Sequence, residues 1–193
     1  GNRAGEWCPF GYGADQADDQ REDDMGSLTF ETAPLVTAFD ILGPPIVTLE
    51  VASDKPIANL VVRLCDVHPS KESLRVSYGA LNLTHRDGHE TPTPLVPGQR
   101  YRVRIQLNDT ASTVPAGHRI RLAISTSYWP MIWPSPENAR LTIFGGTLDV
   151  PVRSPRPTDA LPPFPDPETA PPERVTPIRP GVQRIDHVGL EIG

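Results

Sequence analysis

No apolar run in this chain approaches the roughly 18 residues that a membrane-spanning helix needs. The opening stretch GNRAGEWCPF has no apolar centre of the kind a secretory leader carries, so neither membrane insertion nor a leader is expected. Cysteine is scarce: Cys8 and Cys65 cannot make a disulfide framework, and two free thiols in a reducing, cytoplasmic setting are the expectation. Clustered Lys and Arg are missing and the net charge is −6, which argues against nucleic acid as a partner, because phosphate neutralisation needs concentrated positive charge. Sustained helical periodicity is absent as well. So is any Gly-x-Ser-x-Gly nucleophile elbow.

Proline, by contrast, is abundant. The chain has 24 Pro in 193 residues, and 11 of them lie between Pro151 and Pro180. Pro removes backbone donors that a sheet requires, so residues 154–193 read as an extended tail, with Val182–Ile192 as one further candidate strand. Residues 1–26, rich in Gly and Asp, read as an irregular N-terminal segment. The folded body is then residues 27–153, enough for one two-layer core.

Within that body the dominant pattern is alternation. Tyr101, Val103, Ile105 and Leu107 share one parity, against Arg102, Arg104, Gln106 and Asn108. Ile120, Leu122 and Ile124 do the same, as do Val47, Leu49 and Val51. Leu60 to Val67 is apolar on both faces apart from Arg63 and Asp66, as expected for a central strand covered on both sides. Parity switches between Leu74-Val76-Tyr78 and Leu81-Leu83, which predicts a β-bulge near Gly79. Pro97-Gly98 suits a type II turn and Pro115-Ala116-Gly117 a type I turn. Eight or nine antiparallel strands result, an all-β class of sandwich or jelly-roll type.

Several residues carry candidate chemistry. His118 could act as a base, but Ser125 and Ser127 lie too far along the same strand to serve as its nucleophile. Gly117 as the turn residue, with His118 and Arg119 opening a strand, is the favoured reading. His85 and His89 have the i,i+4 spacing of zinc ligands on a helix, yet they span Asp87-Gly88, a turn signal, so a solvated loop is expected. The acidic run Asp15–Asp24 lacks the spacing of a calcium loop, and Arg21 is its obvious internal partner. No metal and no cofactor is therefore expected. Tyr128, Trp129 and Trp133 surround two Trp-Pro pairs. Such a stiff aromatic loop could cap the core, dock on another domain or stack on sugar rings. Arg75, Arg102, Arg104 and Arg121 are candidates for a basic stripe.

Six motifs occur in order: DDQREDD with SLTFETAPL, ILGPPIVTLEVASD, LVVRLCDVHP, VSYGALNLTHR, PLVPG and AGHRIRLAIST. Together they resemble the C-terminal jelly-roll domain of X-prolyl dipeptidyl peptidases and cocaine-esterase-like serine hydrolases. The resemblance implies a galactose-binding-domain-like jelly roll that accompanies an α/β-hydrolase domain in the same polypeptide and carries none of the Ser-Asp-His triad. It implies structural roles for Asp19, Gln20 and Arg21 and for Gly117, His118 and Arg119. It places Phe10, with Trp7 as its neighbour, on the wall of the acyl pocket, although Pro9 departs from the family's Leu-Phe pair. The expected function is an accessory domain of a hydrolase acting on Xaa-Pro peptides or small acyl esters. A carbohydrate-binding jelly roll is the alternative, and a homodimer is a further option for partnering.

Overall fold

The computed structural model describes residues 19–156 and Asp159. The chain divides into two compact units, Gly1–Pro155 and Arg156–Gly193. Trp7, Cys8, Phe10, the proline-rich strap from residue 157 onward and the strand expected at Val182–Ile192 lie outside the described residues, apart from Asp159.

The first unit is an all-β sandwich. One layer is a four-stranded antiparallel sheet in the order β1 (Leu28–Glu31), β8 (Arg119–Ser125), β4 (Asn59–Val67), β5 (Ser73–Asn82). The facing strands form two three-stranded sheets. Their orders are β6 (Tyr101–Gln106), β3 (Ile46–Ser53), β9 (Leu141–Asp149) and β7 (Thr110–Val114), β2 (Phe39–Gly43), β10 (Val152–Arg153). These two orders match. β2 runs into β3, β6 into β7 and β9 into β10, so a single three-stranded ribbon is interrupted along one line. Pro44, Pro45 and Pro151 sit on that line, where each removes a ladder donor and forces the break.

The alternation read from the sequence is the alternation of the core. Val47, Leu49, Val51, Val103, Ile105 and Leu107 from one layer meet Leu60, Val62, Leu64, Ile120, Leu122 and Ile124 from the other, all buried. β4 is the central strand, paired on both sides, and eight of its nine residues are buried, which accounts for its lack of alternation. The bulge on β5 lies three residues before Gly79: Leu64 pairs with Ser77 and Cys65 with Arg75, so Val76 is the extra residue. Gly79 has a different task. A Cβ there would lie 2.9 Å from the Gln106 carbonyl oxygen and from Leu107 Cδ2, so glycine lets the two layers approach. The 115–118 turn also shifts by one residue. The His118 N–H donates to the Pro115 carbonyl at 3.3 Å, and Gly117 has φ +84°, which belongs to the third position of a type II turn and not to type I.

The described residues carry ten strands, against the eight or nine expected, and three of them show little alternation. β7 is short and rich in Thr and Ser. β1 is exposed along its length. β9 is mostly exposed and contains Gly145-Gly146. Gly146 is required, since a Cβ would fall on the Thr48 carbonyl oxygen and within 2.6 Å of Leu49 Cδ2.

Candidate functional site

The outer face of the four-stranded sheet carries the most unusual chemistry. Side chains of one parity on β4 point there: Val61, Arg63 and Cys65. Register sets Arg121 beside Cys65 on one side, and Tyr78 beside Arg63 with Arg75 beside Cys65 on the other. A five-residue helix, α1 (Arg21–Met25), and the loop after β8 cover this face. The segment expected to be irregular therefore contains a helical turn.

Arg63 is fully buried. Its Nη1 donates to Gln20 Oε1 at 2.9 Å, its Nη2 donates to Ser27 Oγ at 2.9 Å, and Nη2 lies 3.0 Å from Asp24 Oδ1. Asp23 Oδ2 stands 3.9 Å from Nη1. Asp24 also accepts from Arg121 Nη1 at 2.5 Å and from Ser73 Oγ at 2.8 Å, while Glu31 takes the rest of the Arg121 fork. Burial works against the Arg121 charge, but the Asp24 and Glu31 hydrogen bonds outweigh it and hold its pKa above the ordinary value. Arg63 and Arg121 thus meet Asp23 and Asp24 on the covered face, with exposed Glu31 at its edge. Charges removed from water survive only when paired in this way.

Tyr128 closes the network. Its hydroxyl accepts from Arg75 Nη1 at 2.5 Å and donates to Gln20 Oε1 at 3.0 Å. Its ring lies 5.3 Å from the Arg63 guanidinium and 5.6 Å from the Tyr78 ring. Burial raises its phenol pKa. Tyr128, read from the sequence as a candidate contact aromatic, is enclosed by this domain's own residues and caps the sheet. Trp129 and Trp133 differ: both are exposed, the latter at 78%. Their rings meet edge to face, 5.5 Å apart at 65°. Asn59 fixes the loop by donating from its side chain to the Trp133 carbonyl at 3.0 Å and from its backbone to Ser135 Oγ at 3.1 Å.

Asp19 and Arg21 pair with each other, as the sequence suggested, at 2.7 Å, and the Arg21 hydrogen bond lowers the Asp19 pKa. Asp19 also accepts from the Ser73 N–H and forms a β-bridge with Leu74. Gln20 is buried, its N–H donating to the Ser73 carbonyl. The burial of Asp23 and Asp24 against Arg63 and Arg121 was not foreseen. One signal could have revealed it: an arginine in the middle of a strand otherwise apolar on both faces demands a buried anion. The proposed arginine stripe does not form. Arg75 and Arg121 belong to the buried network, whereas Arg102 and Arg104 are exposed on β6 in the opposite layer.

His118 meets Asp66 at the end of the sandwich. Its Nδ1 lies 2.8 and 3.1 Å from the two carboxylate oxygens. Among the described residues that carboxylate is the ring's hydrogen-bond partner, and no hydroxyl or thiol takes the nucleophile's place. Arg119 donates to the Thr32 carbonyl at 2.8 Å and ties β8 to the segment after β1. Cys65 is buried beneath the ion network, and burial pushes its thiol pKa up to about 11. At pH 8 its thiolate fraction is about one in a thousand. Mass mapping after alkylation at that pH should find Cys65 unmodified in the folded chain and modified in denaturant.

The X-Pro dipeptidyl-peptidase C-terminal non-catalytic domain family matches residues 9–160. This chain belongs to that family. A Mycobacterium bovis protein bearing a serine esterase name is 28% identical over 160 residues, 71% of this chain and 26% of that protein. The cocaine esterase of a Rhodococcus species is 27% identical over 117 residues, 61% of this chain and 20% of the esterase. Among solved structures, an α-amino acid ester hydrolase aligns with a TM-score of 0.67 at 25% identity, covering 70% of this chain and 27% of the hydrolase. An aminopeptidase of a Thaumarchaeota archaeon aligns at 0.65 with 21% identity, a likeness of fold alone. The chain spans about a quarter of the length of the curated relatives it matches. This C-terminal non-catalytic domain is thus of a kind found in larger hydrolases, and no described helix is long and apolar enough to cross a membrane.

Proposed function

We propose that this domain packs on an α/β-hydrolase catalytic domain of the same polypeptide and forms one wall of its substrate pocket. The observation that carries the reading is the clamping of Asp19–Asp24 onto the outer sheet face by Arg63, Arg121 and Tyr128. That clamp fixes the point from which residues 1–18, including Trp7 and Phe10, depart. The same Tyr128 anchors the loop bearing exposed Trp129 and Trp133, so an aromatic edge and residues 19–25 share one side of the sheet. Exposed aromatics on a rigid loop suit an interdomain contact, because they bury much area at little entropic cost.

The catalytic serine, its base and its orienting acid would belong to the partnering domain, and this domain's contribution would be positional: shape, rigidity and exclusion of water. The relatives' names point to acyl esters, and the family's to Xaa-Pro peptides, as the substrate class of the whole hydrolase. In a polypeptide joining this chain to its catalytic domain, Phe10→Ala should lower kcat/KM for bulky acyl esters by about tenfold, with a smaller effect on acetate esters. Such a loss corresponds to about 1.4 kcal/mol of transition-state binding. Equal kinetics for all acyl sizes would remove Phe10 from the pocket wall.

A further inference from the structure

Asp66, His68 and His118 stand apart from the buried ion network, at the opposite parity of β4 and in the turns beside it. Antiparallel pairing of Asp66 with Ile120 and Val67 with Arg119 brings the end of β4 against the start of β8. His118 Nδ1 lies 2.8 Å from Asp66 Oδ1, and His68 Nε2 lies 3.8 Å from Asp66 Oδ2. The two imidazole rings are 4.4 Å apart. One ligand atom from each residue falls within 4.8 Å of the other two.

Both histidines are held by short turns. The His68 N–H donates to the Glu72 carbonyl at 2.9 Å and the Lys71 N–H to the His68 carbonyl at 2.8 Å. The His118 N–H donates to the Pro115 carbonyl, and the Leu35 N–H to the His118 carbonyl at 2.8 Å. Side-chain exposures of 12% for Asp66, 14% for His118 and 34% for His68 leave the cluster partly sheltered but reachable from water.

We propose that Asp66, His68 and His118 form a zinc site. Two imidazole nitrogens and one carboxylate oxygen suit Zn²⁺ in kind and number, with a fourth position left to water. Ligand bonds of about 2.0–2.2 Å place tetrahedral donor atoms about 3.3 Å apart. The Asp66–His118 contact is already within that reach, the His68–Asp66 separation of 3.8 Å must close by about half an ångström, and the donor set, which spans up to 4.8 Å, by about 1.5 Å at its widest. The ion would join the β4–β5 turn to the β7–β8 turn and close one end of the sandwich. No ligand-spacing motif announces the site, since His68 and His118 are fifty residues apart and meet only through strand pairing.

A second histidine pair supplies the control. His85 and His89 place their Nδ1 atoms 3.2 Å apart in an exposed turn, but among the described residues no third ligand joins them. The full chain, stripped with a chelator, is titrated with zinc chloride by calorimetry and melted with and without zinc. One zinc ion should bind per chain in the double variant His85→Asn/His89→Asn. At a hundredfold excess over Kd the melting temperature should rise by roughly 5–10 °C. His68→Asn should weaken that binding by at least about tenfold and remove most of the thermal shift. His68→Gln should repeat the loss, and both variants should melt as the unchanged chain does in the absence of metal. Unchanged affinity in both His68 variants, or loss of binding once His85 and His89 are replaced, would overturn the site.

Discussion

Arg63→Met should destabilise the sandwich by about 3–5 kcal/mol, the range for removing one partner from a buried ion pair. Methionine fills much of the aliphatic volume, so packing is not the main loss. The loss comes from Asp24 and Asp23, which remain buried on α1 with the nearest guanidinium gone, and from Gln20 and Ser27, which each lose a donor. Against a total stability of about 5–15 kcal/mol for a domain, this is a large fraction. A urea melt followed by circular dichroism measures it. The double variant Arg63→Met/Asp24→Asn should be less destabilised than the sum of the two single variants, because the two side chains share one interaction. Additive effects, or a loss below about 1 kcal/mol for Arg63→Met, would mean that the cluster is not the clamp described above.

Tyr128→Ala should cost about 3–5 kcal/mol, as for other large aromatics removed from a closed site. Tyr128 is fully buried, and the substitution opens a cavity between Val61, Tyr78 and the guanidinium of Arg63. It also leaves Arg75 without its hydroxyl acceptor and Gln20 without the Tyr128 donor. Tyr128→Phe separates the two contributions: ring packing stays, and the lost hydrogen bonds alone should cost about 1–3 kcal/mol. Because the Tyr128 carbonyl also accepts from the Ile132 N–H at 2.7 Å, the loop carrying Trp129 and Trp133 should loosen with it. Greater quenching of tryptophan emission by acrylamide in Tyr128→Ala than in Tyr128→Phe would show this. Equal stability of the two variants would deny the ring its capping role.

Most of the fold was legible where burial is one-sided. Val103 and Ile105 on β6, and Ile120, Leu122 and Ile124 on β8, alternate in sequence because only one face of each strand meets the core. The legible pattern fails at β1, β7 and β9, whose exposed or Gly- and Thr-rich residues give no alternation to read. The bulge was legible as a parity switch, yet its position was not, since Val76 and Gly79 satisfy the same count and only the pairing of Cys65 with Arg75 separates them. At the candidate site, the Asp19–Arg21 pair is local and was foreseen. The partners of Asp23 and Asp24 lie some forty and a hundred residues away, at Arg63 and Arg121, and sequence proximity says nothing about them. Arg63 itself was visible as a charge in an apolar strand, although its partners came only with the packing of α1 on the sheet. The same limit hid the juxtaposition of His68 with His118.

Hydrolysis by the isolated 193-residue chain tests the central claim most directly. With p-nitrophenyl acetate as substrate, and a fluorophosphonate probe to mark an activated serine, the chain should show turnover no faster than buffer and no labelled residue. His118→Ala should change neither result. Turnover that His118→Ala abolishes, or a labelled serine within this domain, would contradict the account: the sandwich would then carry its own reactive centre instead of supporting one on a neighbouring domain.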